Sequence, residues 1–224
     1  MSKTICIIQA RIGSSRLPAK VMMRLGVKSV LGHTIRRMQR CKNIDAIVVA
    51  TSTLDQDNII VHEAINNGVF YFTGSEDDVL ERYYRTAKFY DADKIVRITA
   101  DCPFIMPDLV DKLIYESRNY DYGSNVLNRT YPKGFDCEVF SMSELERAFI
   151  LAKGDEREHV TPYIIKHTMS CYSMQDIEDY SRLRITLDSK IDFADLQVYY
   201  SLIGNVFDYQ QAKDVFKKLE EEND

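Results

Sequence analysis

The chain has no apolar run approaching the roughly 20 residues needed to span a bilayer, and its first residues lack the pattern of a secretory signal. Lys3 precedes only the short run Ile5 to Ile8, which is too brief for a leader and suits a buried strand. These absences predict a cytoplasmic protein with no membrane partner. The five cysteines (Cys6, Cys41, Cys102, Cys137, Cys171) are scattered, odd in number and never at zinc-ligand spacing, which argues for a reducing compartment. Cys6 and Cys41 fall on apolar positions and read as small core residues. There is no Walker A loop, no G-x-G-x-x-G dinucleotide loop and no Ser–His–Asp arrangement. Internal repeats, low-complexity stretches and linkers are missing too, so 224 residues with 45% hydrophobic content predict one substantial globular core.

The most informative absence is of acid. Met1 to Lys42 holds ten Lys and Arg but no Asp or Glu, although the whole chain carries a net charge of −5. A basic opening on an acidic protein predicts a polyanion site. The same segment contains no Phe, Tyr or Trp on which bases could stack, which argues against nucleic acid and for a compact anion such as a triphosphate.

Strand-length apolar runs alternate with segments of helical period. Strands are expected at Thr4 to Gln9, Ala46 to Ala50, Phe70 to Phe72, Ile95 to Thr99 and Leu183 to Leu187. Helices are expected where Val30, Leu31, Ile35, Met38 and Cys41 recur, from Asp55 to Asn67 before Gly68, after the acidic start Ser75 to Asp78, and from Pro107. Residues 120 to 140 read as strands or loops, with turns at Gly123 and Pro132-Lys133-Gly134. Helices at 142–152 and 156–167 follow, then two more, the last carrying Tyr209, Ala212, Val215, Phe216 and Leu219. The alternation implies an α/β fold: a mostly parallel sheet covered on both faces, with ligands at the carboxyl ends of its strands. The loops after Gln9, Thr51, Thr99 and Leu187 are therefore the places for a site.

The loop Gln9-Ala10-Arg11-Ile12-Gly13-Ser14-Ser15-Arg16-Leu17-Pro18-Ala19-Lys20 has the chemistry for phosphate. Gly13 and the serines allow close backbone approach, and Arg11, Arg16 and Lys20 add three cations. Asp101, just past the strand Ile95 to Thr99, reads either as a Mg²⁺ ligand or as a turn aspartate. Asp188 offers a comparable carboxylate after Leu187, while Asp192 and Asp195 suit the start of the next helix. Asp91-Ala92-Asp93 matches a glycosyltransferase metal pattern but precedes a strand, so a helix-ending turn explains it better. The stretch Tyr131 to Glu138, with Lys133, Asp136 and Glu138, suits either a hydroxyl-rich acceptor or a surface hairpin. Arg157 and His159 open a helix, where His159 is either a base or a hydrogen-bonded structural residue.

Together these stretches resemble the cytidylyltransferase-like family that includes spore-coat polysaccharide biosynthesis proteins and is related to the acylneuraminate and ketodeoxyoctonate cytidylyltransferases. The residues that carry the resemblance are Ile8 to Arg11, Gly13-Ser14, Arg16-Leu17-Pro18, Lys20, Asp78 to Tyr84, Arg97 to Pro103, Tyr131 to Phe140, Arg157 to Tyr163 and Leu187-Asp188. The resemblance implies a nucleotide-diphospho-sugar transferase fold, a three-layer sandwich that is often dimeric. It implies one domain over 1–224, with a nucleotide half at about 1–118, an acceptor part at about 119–190 and C-terminal helices at 191–224. CTP would be the nucleotide and a sugar or sugar acid the acceptor. Nucleotide contacts would come from Gln9, Ala10, Arg11, Gly13, Ser14, Arg16, Lys20, Thr51 and Arg97. Acceptor contacts would come from Lys133, Asp136, Glu138, Arg157 and His159. Asp101 and Asp188 would hold Mg²⁺, with Arg11, Lys20 and Asp101 as the catalytic groups. The chain departs from the family pattern at Ala19, where Gly is usual, and at Ser189-Lys190, where Thr-Pro is usual. Another base, a non-sugar acceptor, a glycosyltransferase on a related fold and a non-catalytic nucleotide-binding regulator are the competing functions.

Overall fold

The computed structural model describes residues 2–14, 16–204 and 208–221, with side chains described up to residue 217. The chain runs β1 (Thr4–Gln9), a small hairpin of β2 (Arg24–Leu25) and β3 (Lys28–Ser29), α1 (Val30–Met38), β4 (Ala46–Ser52), α2 (Asn58–Asn66), β5 (Phe70–Gly74), α3 (Val79–Phe89), β6 (Lys94–Thr99) and α4 (Pro107–Glu116). It continues through β7 (Tyr122–Ser124), β8 (Glu138–Ser141), α5 (Met142–Leu151), α6 (Asp155–His159), α7 (Pro162–His167), β9 (Cys171–Ser173), α8 (Lys190–Ile203) and α9 (Tyr209–Glu221).

Seven strands form one sheet in the order β5-β4-β1-β6-β8-β7-β9. Every strand runs the same way except β8, which is antiparallel to both its neighbours. Side-chain alternation along the strands separates two cores. Cys6, Ile8, Val49, Val96 and Ile98 face a core shared with α1, α2, α4, α8 and α9. Ile5, Ile7, Val48, Ala50 and Ile95 face the other, against α3, α5 and α7. The result is the expected three-layer α/β sandwich.

Register places the functional edge. Gln9 pairs with both Ala50 and Thr99, so β1 and β6 end level, β4 runs two residues further, and their following loops gather at one rim. The chain leaves β1 toward β4 and β5 on one side and returns to β6 on the other. That reversal opens a crevice at the carboxyl ends of β1 and β6, where open α/β sheets bind ligands.

Local chemistry fixes the helix starts. Ser29, Asp78 and Ser141 cap α1, α3 and α5 by accepting from the N–H of Gly32, Glu81 and Glu144. Ser189 and Asp192 form a reciprocal capping box on α8, as the sequence suggested for Asp192. Asp91, at φ 52°, lies in the turn after α3, and Asp93 accepts from the N–H of Lys3, so the Asp91-Ala92-Asp93 pattern ends a helix as expected.

Two expectations need correction, and three short strands were not foreseen. The helix at 156–167 is two helices, α6 and α7, broken at Val160, whose φ of 71° and ψ of −56° form a γ-turn closed by Thr161 N–H to the His159 carbonyl. The segment Leu183 to Leu187 is extended with Ile185 and Leu187 fully buried, yet it is no sheet strand. Its backbone partners are divided between Lys133 and Asp101, so a single bridge, Lys133 with Arg184, replaces a ladder. The strands β2, β3 and β9 were not anticipated; each has only two or three residues, too few to display a period. Val215 and Phe216 of α9 pack on the first core as expected, whereas the side chain of Leu219 lies outside the described residues.

Candidate active site

The loop after β1 is shaped by a buried carboxylate. Asp57, 1% exposed, accepts from the N–H of Ile12 (2.8 Å), the Thr51 hydroxyl (2.9 Å), and the Ser52 N–H and hydroxyl (3.1 and 2.6 Å). It ties the end of β4 to the basic loop. Ser14 and Ala19 both donate their N–H groups to the Ile12 carbonyl, which curls the loop back on itself. Ala19 lies in the left-handed region at φ 56°, the conformation for which glycine is the least strained residue. A short 3₁₀ turn, Lys20–Met22, follows and points Lys20 into the crevice.

Lys20 is the organising side chain. Its Nζ donates to Asp101 Oδ2 at 2.6 Å, Asp188 Oδ1 at 2.8 Å and the Leu187 carbonyl at 2.8 Å. Burial alone would lower the pKa of this amine, but the flanking Asp101 and Asp188 overcome it and the net shift is upward. Burial likewise opposes ionisation of Asp188, yet Lys20, Arg184 and Arg16 hold it below the usual carboxylate range. Arg16 Nη2 lies 3.2 Å from Asp188 Oδ1, and Arg184 Nη2 lies 2.6 Å from Asp188 Oδ2. The two carboxylates, 87 positions apart in the chain, are joined through backbone as well: Leu187 N–H donates to the Asp101 carbonyl at 3.0 Å.

These groups line one cavity of about 410 Å³, within the size range of small-molecule sites. Of the residues expected from sequence, Gln9, Ala10, Arg11, Ser14, Arg16, Lys20, Asp101, His159 and Asp188 all line it. Seven others do not. A Cβ on Gly13 would meet Glu76 and Gln56, so Gly13 faces away toward neighbouring side chains. Thr51 is fully buried on Asp57. Arg97 forms a buried ion pair with Glu138, whose other oxygen accepts from the Tyr122 hydroxyl, so both residues spend their charge inside the sheet. Asp136 is gripped bidentately by Arg129. Arg157 donates to Asp78 and to the Phe149 carbonyl. Lys133 is exposed, and its backbone holds Leu183 and Ile185. Ser15 lies outside the described residues.

The Tyr131 to Glu138 stretch supports the segment that delivers Asp188. A Cβ on Gly134 (φ 106°) would sit 2.2 Å from the Ile185 carbonyl. The bare turn lets the segment that delivers Asp188 lie against it, which gives the glycine of Pro-Lys-Gly a structural reason.

Sequence reading missed two charged cavity residues. Arg82 of α3 is 1% exposed and donates to the Ser75 carbonyl at 2.6 Å, with its Nε lacking a protein partner. A charge at the buried face of an otherwise apolar stripe with Val79 and Tyr83 was the available signal. Glu158 lines the cavity beside His159 and lies 3.8 Å from Arg11. No local pattern marks it, since the turn at Val160 sets its direction.

A mostly parallel α/β sheet, with a basic cleft at its strand ends edged by Asp101 and Asp188, suits nucleotidyl transfer, and a family match over nearly the whole chain makes it a nucleotidyltransferase enzyme. More particularly, the chain belongs to the cytidylyltransferase family, whose model matches residues 5–221. Spore coat polysaccharide biosynthesis protein SpsF of Bacillus subtilis is 34% identical over 218 residues, covering 91% of this chain and 89% of its own. An uncharacterized protein of Methanocaldococcus jannaschii is 40% identical over 226 residues, covering 96% and 91%. The solved structure of a cytidylyltransferase from Leptospira borgpetersenii superposes with a TM-score of 0.93 at 32% identity, covering 99% of this chain and 96% of that one.

Proposed function

We propose that this chain transfers CMP from CTP to a hydroxyl of a sugar or sugar acid, with release of pyrophosphate. The observation that carries the reading is Lys20, shared by Asp101 and Asp188 in the cavity that Arg11 and Arg16 also line. The similarity to a polysaccharide biosynthesis protein supports a sugar-like acceptor.

In this reading the acceptor oxygen attacks the α-phosphorus as the bond to the bridging β-phosphate oxygen breaks, so no covalent enzyme intermediate is needed. Arg11, Arg16 and Lys20 bind the triphosphate and offset the charge that grows on the departing pyrophosphate. Asp101 and Asp188 would hold Mg²⁺. Among the described residues no cluster of three or more His, Cys, Asp or Glu could hold a metal, and two carboxylates completed by phosphate and water are the donor set Mg²⁺ favours. When bound, the ion would supply Lewis-acid stabilisation of the phosphate oxygens. His159 is assigned the acceptor proton, with Glu158 beside it.

The test is a pyrophosphate-release screen of the four nucleoside triphosphates, with Mg²⁺, against sugar acids and sugar phosphates. CTP should give release that depends on acceptor. Arg11→Ala and Lys20→Ala should each lower kcat by roughly 10²–10³-fold, the usual loss for one fixed charge-stabilising group. Release with another nucleotide but not CTP would overturn the base assignment, and near-normal rates in both variants would overturn the phosphate site. Consumption of a nucleotide-sugar without pyrophosphate release would favour the glycosyltransferase reading.

A further inference from the structure

An ammonium group has three N–H donors, and all three of Lys20 have an acceptor: Asp101, Asp188 and the Leu187 carbonyl. In this arrangement Lys20 has no donor left for a phosphate. Its Nζ also stands within hydrogen-bond distance of both carboxylates assigned to the metal. A divalent ion bridging Asp101 and Asp188 would stand against the ammonium, and like charges at such contact repel strongly in a partly buried cleft. Lys20 and Asp188 have side chains only 14% and 20% exposed, so water screens that repulsion weakly. The backbone of Lys20 is fixed in the 3₁₀ turn, but its four-carbon stem can swing.

We infer that Lys20 is an exchangeable cation: its ammonium neutralises the Asp101–Asp188 pair until a divalent ion takes the pair and releases Lys20 to the phosphates. This rests on the reading above, in which phosphates and a divalent ion enter the same cleft. Metal alone competes with a tethered charge and binds poorly. Metal arriving with a triphosphate binds well, because the phosphates accept the displaced ammonium. The pair then engages a divalent ion chiefly when nucleotide accompanies it.

The inference predicts opposite signs from one substitution. Lys20→Met should weaken nucleotide binding yet tighten metal binding when no nucleotide is present. Mn²⁺ titrations in nucleotide-free buffer, read by the electron-paramagnetic-resonance signal of free Mn²⁺, provide the test. Lys20→Met should bind Mn²⁺ at least about tenfold more tightly than wild type. Lys20→Arg keeps a cation between the carboxylates and should stay within about twofold of wild type. Adding Asp101→Asn to Lys20→Met should remove the gain, which ties it to this pair. Equal or weaker binding in Lys20→Met overturns the inference, as does an equally large gain in Lys20→Arg. If Lys20→Met does not fold, wild-type crystals grown with Mg²⁺ and CTP decide. Lys20 Nζ should have left both carboxylates, and finding it still bonded to both overturns exchange. A pyrophosphate screen with no product would sink the substrate reading alone, because the Mn²⁺ titration contains no nucleotide.

Discussion

At the scale of residues, Ala19 shows how much one backbone angle can hold. Its Cβ bears the left-handed conformation at φ 56° and ψ 21° immediately before Lys20. Such a placement costs an L-residue about 1–2 kcal/mol, of which a glycine recovers part while adding freedom to the unfolded chain. Ala19→Gly should therefore stabilise the protein by up to about 1 kcal/mol in urea unfolding; a loss of stability would show that the Cβ makes compensating contacts. The sequence departure at this position was legible, but the strain was not, since only the folded loop reveals the sign of φ. Arg11, Arg16, Lys20, Asp101 and Asp188 were legible as a group that shares one cavity, because the loops that carry them follow apolar runs of strand length. Arg97 and Glu138, expected at the ligand, pair with each other outside the cavity instead: a buried ion pair inside a sheet has the same letters as a binding pair.

Elements depend on shared caps. Asp78 accepts from Glu81 N–H through Oδ1 to start α3 and receives Arg157 of α6 through Oδ2. One carboxylate thus begins the helix that carries Arg82 and clamps the helix that carries Glu158 and His159. Asp78→Ala loses both tasks and should cost about 2 kcal/mol, whereas Asp78→Asn keeps a good cap and should cost about 1 kcal/mol or less. Urea unfolding of the two variants measures the difference, and equal losses would mean that the cap contributes nothing. The start of α3 was readable from Ser75 to Asp78 and the apolar stripe behind it. The division of 156–167 was not, because Val160 is a β-branched residue that disfavours positive φ, and its burial in the core accompanies the Thr161 N–H to His159 carbonyl bond that closes the turn. The segment Leu183 to Leu187 alternates like a strand, but alternation reports burial on one side, not which backbone supplies the partner.

For the whole molecule, the period-2 and period-3.6 patterns were enough to yield the sandwich and its ligand edge. The reversal of β8 was not readable, since a strand's direction leaves no trace in its own composition. Acid should loosen the join between the sheet and the C-terminal helices. Burial opposes the charge on Asp192, but Arg184, the Asp188 N–H and Ser189 hold its pKa at about 2, and Asp188 is depressed as well. Groups lowered by folding stabilise the protein above their unfolded values and lose that contribution as pH falls through the folded ones. Stability should therefore drop between about pH 4 and about pH 2, and Asp192→Asn should show a shallower drop in urea midpoints. A drop of unchanged steepness would remove Asp192 from the account.

Lys20 meets Asp101 across 81 positions of chain and Asp188 across 168. As the polypeptide leaves the ribosome, the lysine and the first aspartate are therefore made long before the second. The sheet's central strands can pair while the cleft still lacks one wall. The cleft is completed only after Asp188 has been synthesised and its segment has settled against Gly134. A chain shortened before Asp188 would lack one of the two carboxylates that flank Lys20, together with the helices α8 and α9 that pack on the first core.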